Sequence, residues 1–113
     1  MVEIKGTTVW MTRGDTVVLT ITITDVNGEP YVPESGDIIR FAMKKNYTDA
    51  NPILLKTIPI DTMELIIEPE DTKNLPFGEV KGHYKYDIEL TKESGFVDTF
   101  IPRADIYILE EVN

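Results

Sequence analysis

From Tyr84 to Leu90 the chain alternates without a slip: Tyr84, Tyr86, Ile88 and Leu90 fall on one face, and Lys85, Asp87 and Glu89 on the other. A period of two is what a half-buried β-strand demands, because successive side chains point to opposite sides of the sheet. The preceding residues set how the chain enters that strand. Pro69 suits a first helical position, and Glu70 and Asp71 complement the positive end of a helix dipole, so residues 69–75 read as a short helical turn. Leu75 and Phe77 then plug the end of a core, and Gly78 and Gly82 release the chain into the strand.

The same period recurs along the rest of the chain. Residues 2–12 hold a broken signal of the kind an edge strand carries, with Thr7, Val9 and Met11 alternating against Thr8, Trp10 and Thr12. Thr16 to Asp25 is the strongest strand of the N-terminal half, with Val17, Leu19, Ile21 and Ile23 on one face and Val18, Thr20, Thr22 and Thr24 on the other. Asn27-Gly28 supplies the positive φ angles of a turn, and Tyr31 to Gly36 is a loop. Asp37 to Lys45 turns Ile39, Phe41 and Met43 inward; Asn46 to Pro52 is a polar loop with the composition of a mobile one. Ile53 to Ile58 is a short strand whose closing Pro59 fits an edge or an end. Met63 to Ile67 contributes Leu65 and Ile67 to the core. Phe96 to Ile101 pairs back onto the tyrosine strand through a turn at Thr91 to Gly95. Pro102 interrupts this last strand and suggests a bulge or a jump between strands, and Ala104 to Leu109 resumes with Ile106 and Ile108 inward before an acidic tail at Glu110-Glu111. Short strands at this spacing with turn signals between them indicate a sandwich or barrel.

Length and composition narrow the function classes. A chain of 113 residues suits one domain, residues 1–113, and its 42% hydrophobic and 27% charged residues are ordinary globular composition. Twenty acidic against eleven basic residues give a net charge of −9, which disfavours phosphate backbones and anionic lipid. With no cysteine there is no disulfide, thiol nucleophile or cysteine zinc site, and a reducing compartment fits slightly better than secretion. The N-terminus lacks the apolar region of a signal peptide, and no apolar run approaches the length of a membrane span. Starting at Met1, the chain reads as either a small protein or an N-terminal domain.

Each motif that could carry chemistry has a plainer explanation. Arg13-Gly14-Asp15 matches an integrin-binding triplet, but glycine between polar residues is what a turn between strands requires. Asp25, Asn27 and Glu29 lack the spacing, sixth-position glycine and closing glutamate of a calcium loop. Glu68, Glu70 and Asp71 suit a helix N-terminus on dipole grounds. His83 is the one histidine, on the solvent side of its strand, so a histidine metal site or a serine–histidine–aspartate arrangement has little to work with. Twenty acids offer too many pairs for a glycosidase pair to stand out, and no phosphate-binding glycine loop is present. Trp10, Tyr31, Tyr47 and Tyr107 are aromatics that could stack on sugars or pack against a partner.

A helical corner feeding a Tyr-x-Tyr strand resembles the corner between the E and F strands of immunoglobulin-type sandwiches. The fold expected is therefore all-β, an immunoglobulin-like antiparallel β-sandwich of about seven to eight strands with a short helical turn near residues 69–75. The ordered series 12–16, 25–31, 39–45, 67–72, 75–78 and 84–90 is similar to the immunoglobulin-like domain at the N-terminus of phage baseplate upper proteins and in small tail-associated proteins of phages and prophages. That likeness runs from about Thr7 to Leu109. Two departures stand out: a long segment from Glu79 to His83, and the absence of trimerising regions after the one domain.

The resemblance implies a non-enzymatic structural module of a phage tail or baseplate, made in the host cytoplasm and located in the virion, with no cofactor or metal. Its expected partners are other phage structural proteins, a homo-oligomer included, and neither nucleic acid nor membrane. Docking is expected through an exposed strand edge or an apolar surface patch, the candidate edges being the strands around Val9-Trp10-Met11 and Ile106 to Leu109, with Trp10, Ile106, Tyr107 and Tyr31 as partner-binding residues. The second reading is a carbohydrate-binding module for host-surface glycan with Trp10, Tyr31 and Tyr47 as stacking platforms; a carboxylate-pair glycosidase is a third.

Overall fold

A computed structural model describes residues 2–5, 7–24, 27–73, 75 and 82–109, which form eight strands and one short helix. The strands are β1 (Val2–Lys5), β2 (Thr8–Thr12), β3 (Val17–Thr20), β4 (Ile38–Lys44), β5 (Leu54–Ile58), β6 (Glu64–Ile67), β7 (His83–Thr91) and β8 (Val97–Leu109), with helix α1 (Pro69–Lys73) between β6 and β7. Six strands make one sheet in the order β1-β2-β8-β7-β4-β5, and β3 pairs with β6 in a second. Together they form an all-β sandwich, in which β3 and β6 share one core with β4, β7 and β8.

The tyrosine strand β7 is central to the large sheet, bonded to β4 on one side and β8 on the other. Its alternation is realised: Tyr84, Tyr86, Ile88 and Leu90 are buried and the residues between them are half-buried. Val9, Met11, Ile39, Phe41, Met43, Ile106 and Ile108 complete the inner face, closed by Val17, Leu65 and Ile67 of the small sheet. Each such side chain contributes about 1.5–3 kcal/mol on burial. Phe41 and Tyr86 pack ring against ring at 5.3 Å, and the Tyr86 hydroxyl donates to the Thr7 carbonyl.

Four features differ from the sequence expectation. First, the sandwich is not wholly antiparallel, because β2 runs parallel to β8 with Trp10 opposite Tyr107. Parallel neighbours need a long connection, and these two strands lie near opposite ends of the chain. Second, neither expected docking edge is an edge: β1 covers β2, and β8 is enclosed between β2 and β7. The short β5, closed by Pro59, is an edge as expected.

Third, β3 ends at Thr20 although the alternation continues to a buried Ile23. Its partner sets its length. β6 begins at Glu64, opposite Thr20, and Met63 before it adopts a φ of 55° while its carbonyl accepts the Ile21 N–H at 2.8 Å. Fourth, Pro102 does not interrupt the last strand, which runs continuously for 13 residues, although the bulge expected there is present. Its surplus length goes into bulges. Tyr86 and Ile88 pair with Ala104 and Ile101, so two steps on β7 face three on β8, and the next step, to Glu89 and Thr99, is one against two.

The corner follows its local chemistry. Pro69 opens α1, and the Asp71 carboxylate accepts the Glu68 N–H at 2.7 Å, the reciprocal half of a capping box. Leu75 packs against the core as expected. Phe77, Gly78, residues 79–81, Asp25 and the Glu110-Glu111 tail lie outside the described residues.

Candidate functional site

Of the four expected partner-binding residues, two come together. Trp10 of β2 stands opposite Tyr107 of β8, and Tyr107 opposite His83 of β7, so the three share one row on the outer face of the large sheet. Their rings stack: Trp10 and Tyr107 at 5.7 Å, Tyr107 and His83 at 4.4 Å, each pair tilted by 10°. Those separations bracket the roughly 4.8 Å between neighbouring strands, so the stack is a consequence of register. It also sets what the row can bind. Tyr107 has a ring against each of its faces, so it turns an edge toward solvent, whereas sugar stacking uses an open face.

Ile106 and Tyr31 lie elsewhere. Ile106 is 1% exposed and faces the core between the sheets, which removes it from any outer contact. Tyr31 is half-buried against the core; its hydroxyl donates to Asp37 at 2.7 Å and accepts from the Lys92 ammonium at 2.5 Å. Lys92 follows β7 whereas His83 begins it, nine steps earlier, so Tyr31 sits roughly 30 Å along the strand direction from the stack.

Below the aromatic row, Asp105 of β8 faces Lys85 of β7. Its Oδ1 accepts from Lys85 Nζ at 2.5 Å and lies 3.0 Å from His83 Nε2, while Lys85 Nζ is 3.2 Å from the same imidazole nitrogen. The Lys85 hydrogen bond, then that of His83, holds the Asp105 carboxyl below its ordinary range. Asp105 in turn raises Lys85. Half-exposed pairs of this kind add little stability, so their effect is chiefly to order the side chains.

The next row belongs to Tyr47, in the β4–β5 loop. Its hydroxyl donates to the Arg103 carbonyl at 2.9 Å, and Lys85 Nζ and the Arg103 guanidinium lie 5.3 and 5.2 Å from its ring centre. A loop that reads as mobile in sequence is thus tied across the sheet to a β8 bulge. Tyr47 and Arg103, with Lys44, Lys85 and Asp87, line a pocket of about 170 Å³. Composition alone points to neither Arg103 nor Lys85, because the register that gathers them is long-range.

The remaining motifs resolve into structure. Arg13 is buried, and its guanidinium donates to the carbonyls of Thr72, Lys73 and Leu75 at 2.9, 2.6 and 2.8 Å. The Gly14 N–H adds a bond to Thr72 Oγ1 at 2.8 Å. The triplet therefore turns the chain and also clamps the C-terminal end of α1, where exposed carbonyls favour a cation. Glu68 and Asp71 serve the helix start, with Lys56 held on Asp71 at 2.7 Å. Among the described residues, no group of three or more His, Cys, Asp or Glu is placed to hold a metal ion, and no helix is long and apolar enough to cross a membrane.

Comparison of the chain with protein-family models, with curated proteins and with solved structures finds no match.

Proposed function

We propose that this chain is a non-enzymatic assembly module that docks onto other proteins of a phage or prophage tail or baseplate through the outer face of its large sheet. One observation carries the docking reading: that face holds Trp10, Tyr107, His83, Tyr47 and Arg103 in adjoining rows. A merely solvated sheet face is built of residues such as Thr, Lys and Glu; the far half of this face carries no aromatic ring among its described side chains but mixes Arg40, Thr57, Glu89 and Thr99 with the exposed aliphatics Ile38, Leu55 and Val97. Tyr, Trp and Arg are the side chains enriched at interface centres, where rigid area is gained at small entropic cost. The phage setting, with the virion as location, rests on the sequence resemblance.

The test is light scattering over a concentration series, together with retention of co-expressed tail proteins on the immobilised chain. Assembly or retention that Trp10→Ser weakens, with folding verified by thermal melting, supports the reading. A monomer that retains no tail protein overturns it. A melting temperature raised by cell-wall glycan, with no protein partner found, would replace it with a carbohydrate-binding module.

A further inference from the structure

The pocket under Tyr47 is charged against the trend of the molecule. The chain carries a net charge of −9, yet Lys44, Lys85 and Arg103 converge on a space of about 170 Å³. Lys85 is matched by Asp105 at 2.5 Å. Among the described residues, Lys44 and Arg103 have no carboxylate within ion-pair distance, and Asp87 in the wall has no cation. Two unmatched cations and one unmatched carboxylate leave one positive charge facing the space.

The backbone is bent to produce this arrangement. Arg103 has a φ of 49°, in the left-handed region that non-glycine residues seldom occupy, at the bulge where β8 carries its first surplus residue. Bulges re-aim side chains, and strained residues persist where the surroundings hold them. Here the Arg103 carbonyl is held by the Tyr47 hydroxyl and its guanidinium lies over the same ring.

We propose that this pocket binds a carboxylate, the side chain of an Asp or Glu presented by the docking protein. A single uncompensated positive charge matches a monoanion better than a phosphate dianion. The planar guanidinium fork fits a carboxylate's two oxygens. Lys85 joins the pocket to the aromatic stack through His83 at 3.2 Å, so one acidic residue would fix the register of a partner lying on Trp10 and Tyr107. The inference rests on the assembly reading and adds the chemistry of the contact.

Nuclear magnetic resonance titration of the isotope-labelled chain tests it. The probes are N-acetylglutamate amide, glucuronate, inorganic phosphate and sodium chloride at matched ionic strength. Saturable shifts at Lys44, Tyr47, Lys85 and Arg103 with the glutamate probe, absent with chloride, are expected. Arg103→Asn keeps a residue that tolerates positive φ and should weaken that binding by about tenfold or more. Lys44→Met, on an exposed strand face, is the second variant and should weaken it in the same direction. Absence of saturable shifts, undiminished binding in both variants, or tighter binding of glucuronate or phosphate overturns the proposal. Arg103→Asn that assembles like the parent refutes the carboxylate contact while leaving assembly intact. Probe binding without any assembly refutes the assembly reading and, with it, the protein source of the carboxylate.

Discussion

Arg13→Met should be among the most damaging substitutions available outside the apolar core. It removes three hydrogen bonds, to Thr72, Lys73 and Leu75, from one buried guanidinium. Bonds to a charged group contribute about 1.5–3 kcal/mol each, which would sum to roughly 5–9 kcal/mol. The three share one donor group, however, and Lys73 is exposed, so its carbonyl can turn to water. We therefore expect a loss of about 3–5 kcal/mol, in the range for breaking a buried charged network. A chain of 113 residues has roughly 6–17 kcal/mol of stability, so the melting temperature should fall by about 12–20 °C. Arg13→Lys keeps the charge but not the fork and should lose about half as much. Urea denaturation followed by Trp10 fluorescence and by circular dichroism measures both. Arg40→Met, at an exposed outer position, is the control and should stay within about 0.5 kcal/mol. A loss below about 1 kcal/mol for Arg13→Met, or full stability in Arg13→Lys, would refute the clamp.

Three further outcomes follow from the geometry. Asp37 is held below its ordinary 3.8 by the Glu34 N–H and then by Tyr31, and Asp105 by Lys85 and then His83. Their folded-state values lie below the unfolded ones, so the stability they add is complete above about pH 4 and lost as pH falls through the folded-state values. Asp37→Asn should make the acid limb of a melting-temperature profile shallower, and an unchanged limb would contradict this. Burial pushes Tyr86 up to about 12, so its stabilisation is complete below the unfolded value near 10 and lost as pH rises toward 12. Ultraviolet titration should show fewer than the five tyrosines ionising at pH 11 while the fold persists, and Tyr86→Phe should remove one late-titrating group. Gly95 sits at a φ of 95° in the β7–β8 turn, where its N–H bonds the Lys92 carbonyl at 2.8 Å. Gly95→Ala should cost about 1–2 kcal/mol in thermal denaturation, entirely through the backbone, because open space surrounds the added Cβ.

Much of the fold was legible from local pattern. Tyr84 to Leu90, Ile39 to Met43 and Leu65 with Ile67 were placed on the correct faces because alternation reports directly which side chains leave water. The corner was legible too, since Pro69 and Asp71 act within one turn of helix. The site was half legible. Trp10 and Tyr107 could be singled out as aromatics, but their stacking on His83 depends on the parallel pairing of β2 with β8. Ile106 and Tyr31 went to other places, and Arg103 and Lys85 carried no local signal.

The amino-acid order by itself determined where strands form and which face of each is buried, because both follow from side-chain partition over a few neighbouring residues. Tertiary structure decided which strands are neighbours, and therefore which are edges. It placed β1 over β2 and set β8 between β2 and β7. It also carried Arg13 to carbonyls 59 to 62 residues away and Tyr47 to a carbonyl 56 residues away. An apolar pattern is satisfied by any partner that covers it, so the choice among partners falls to pairings closed across the length of the chain.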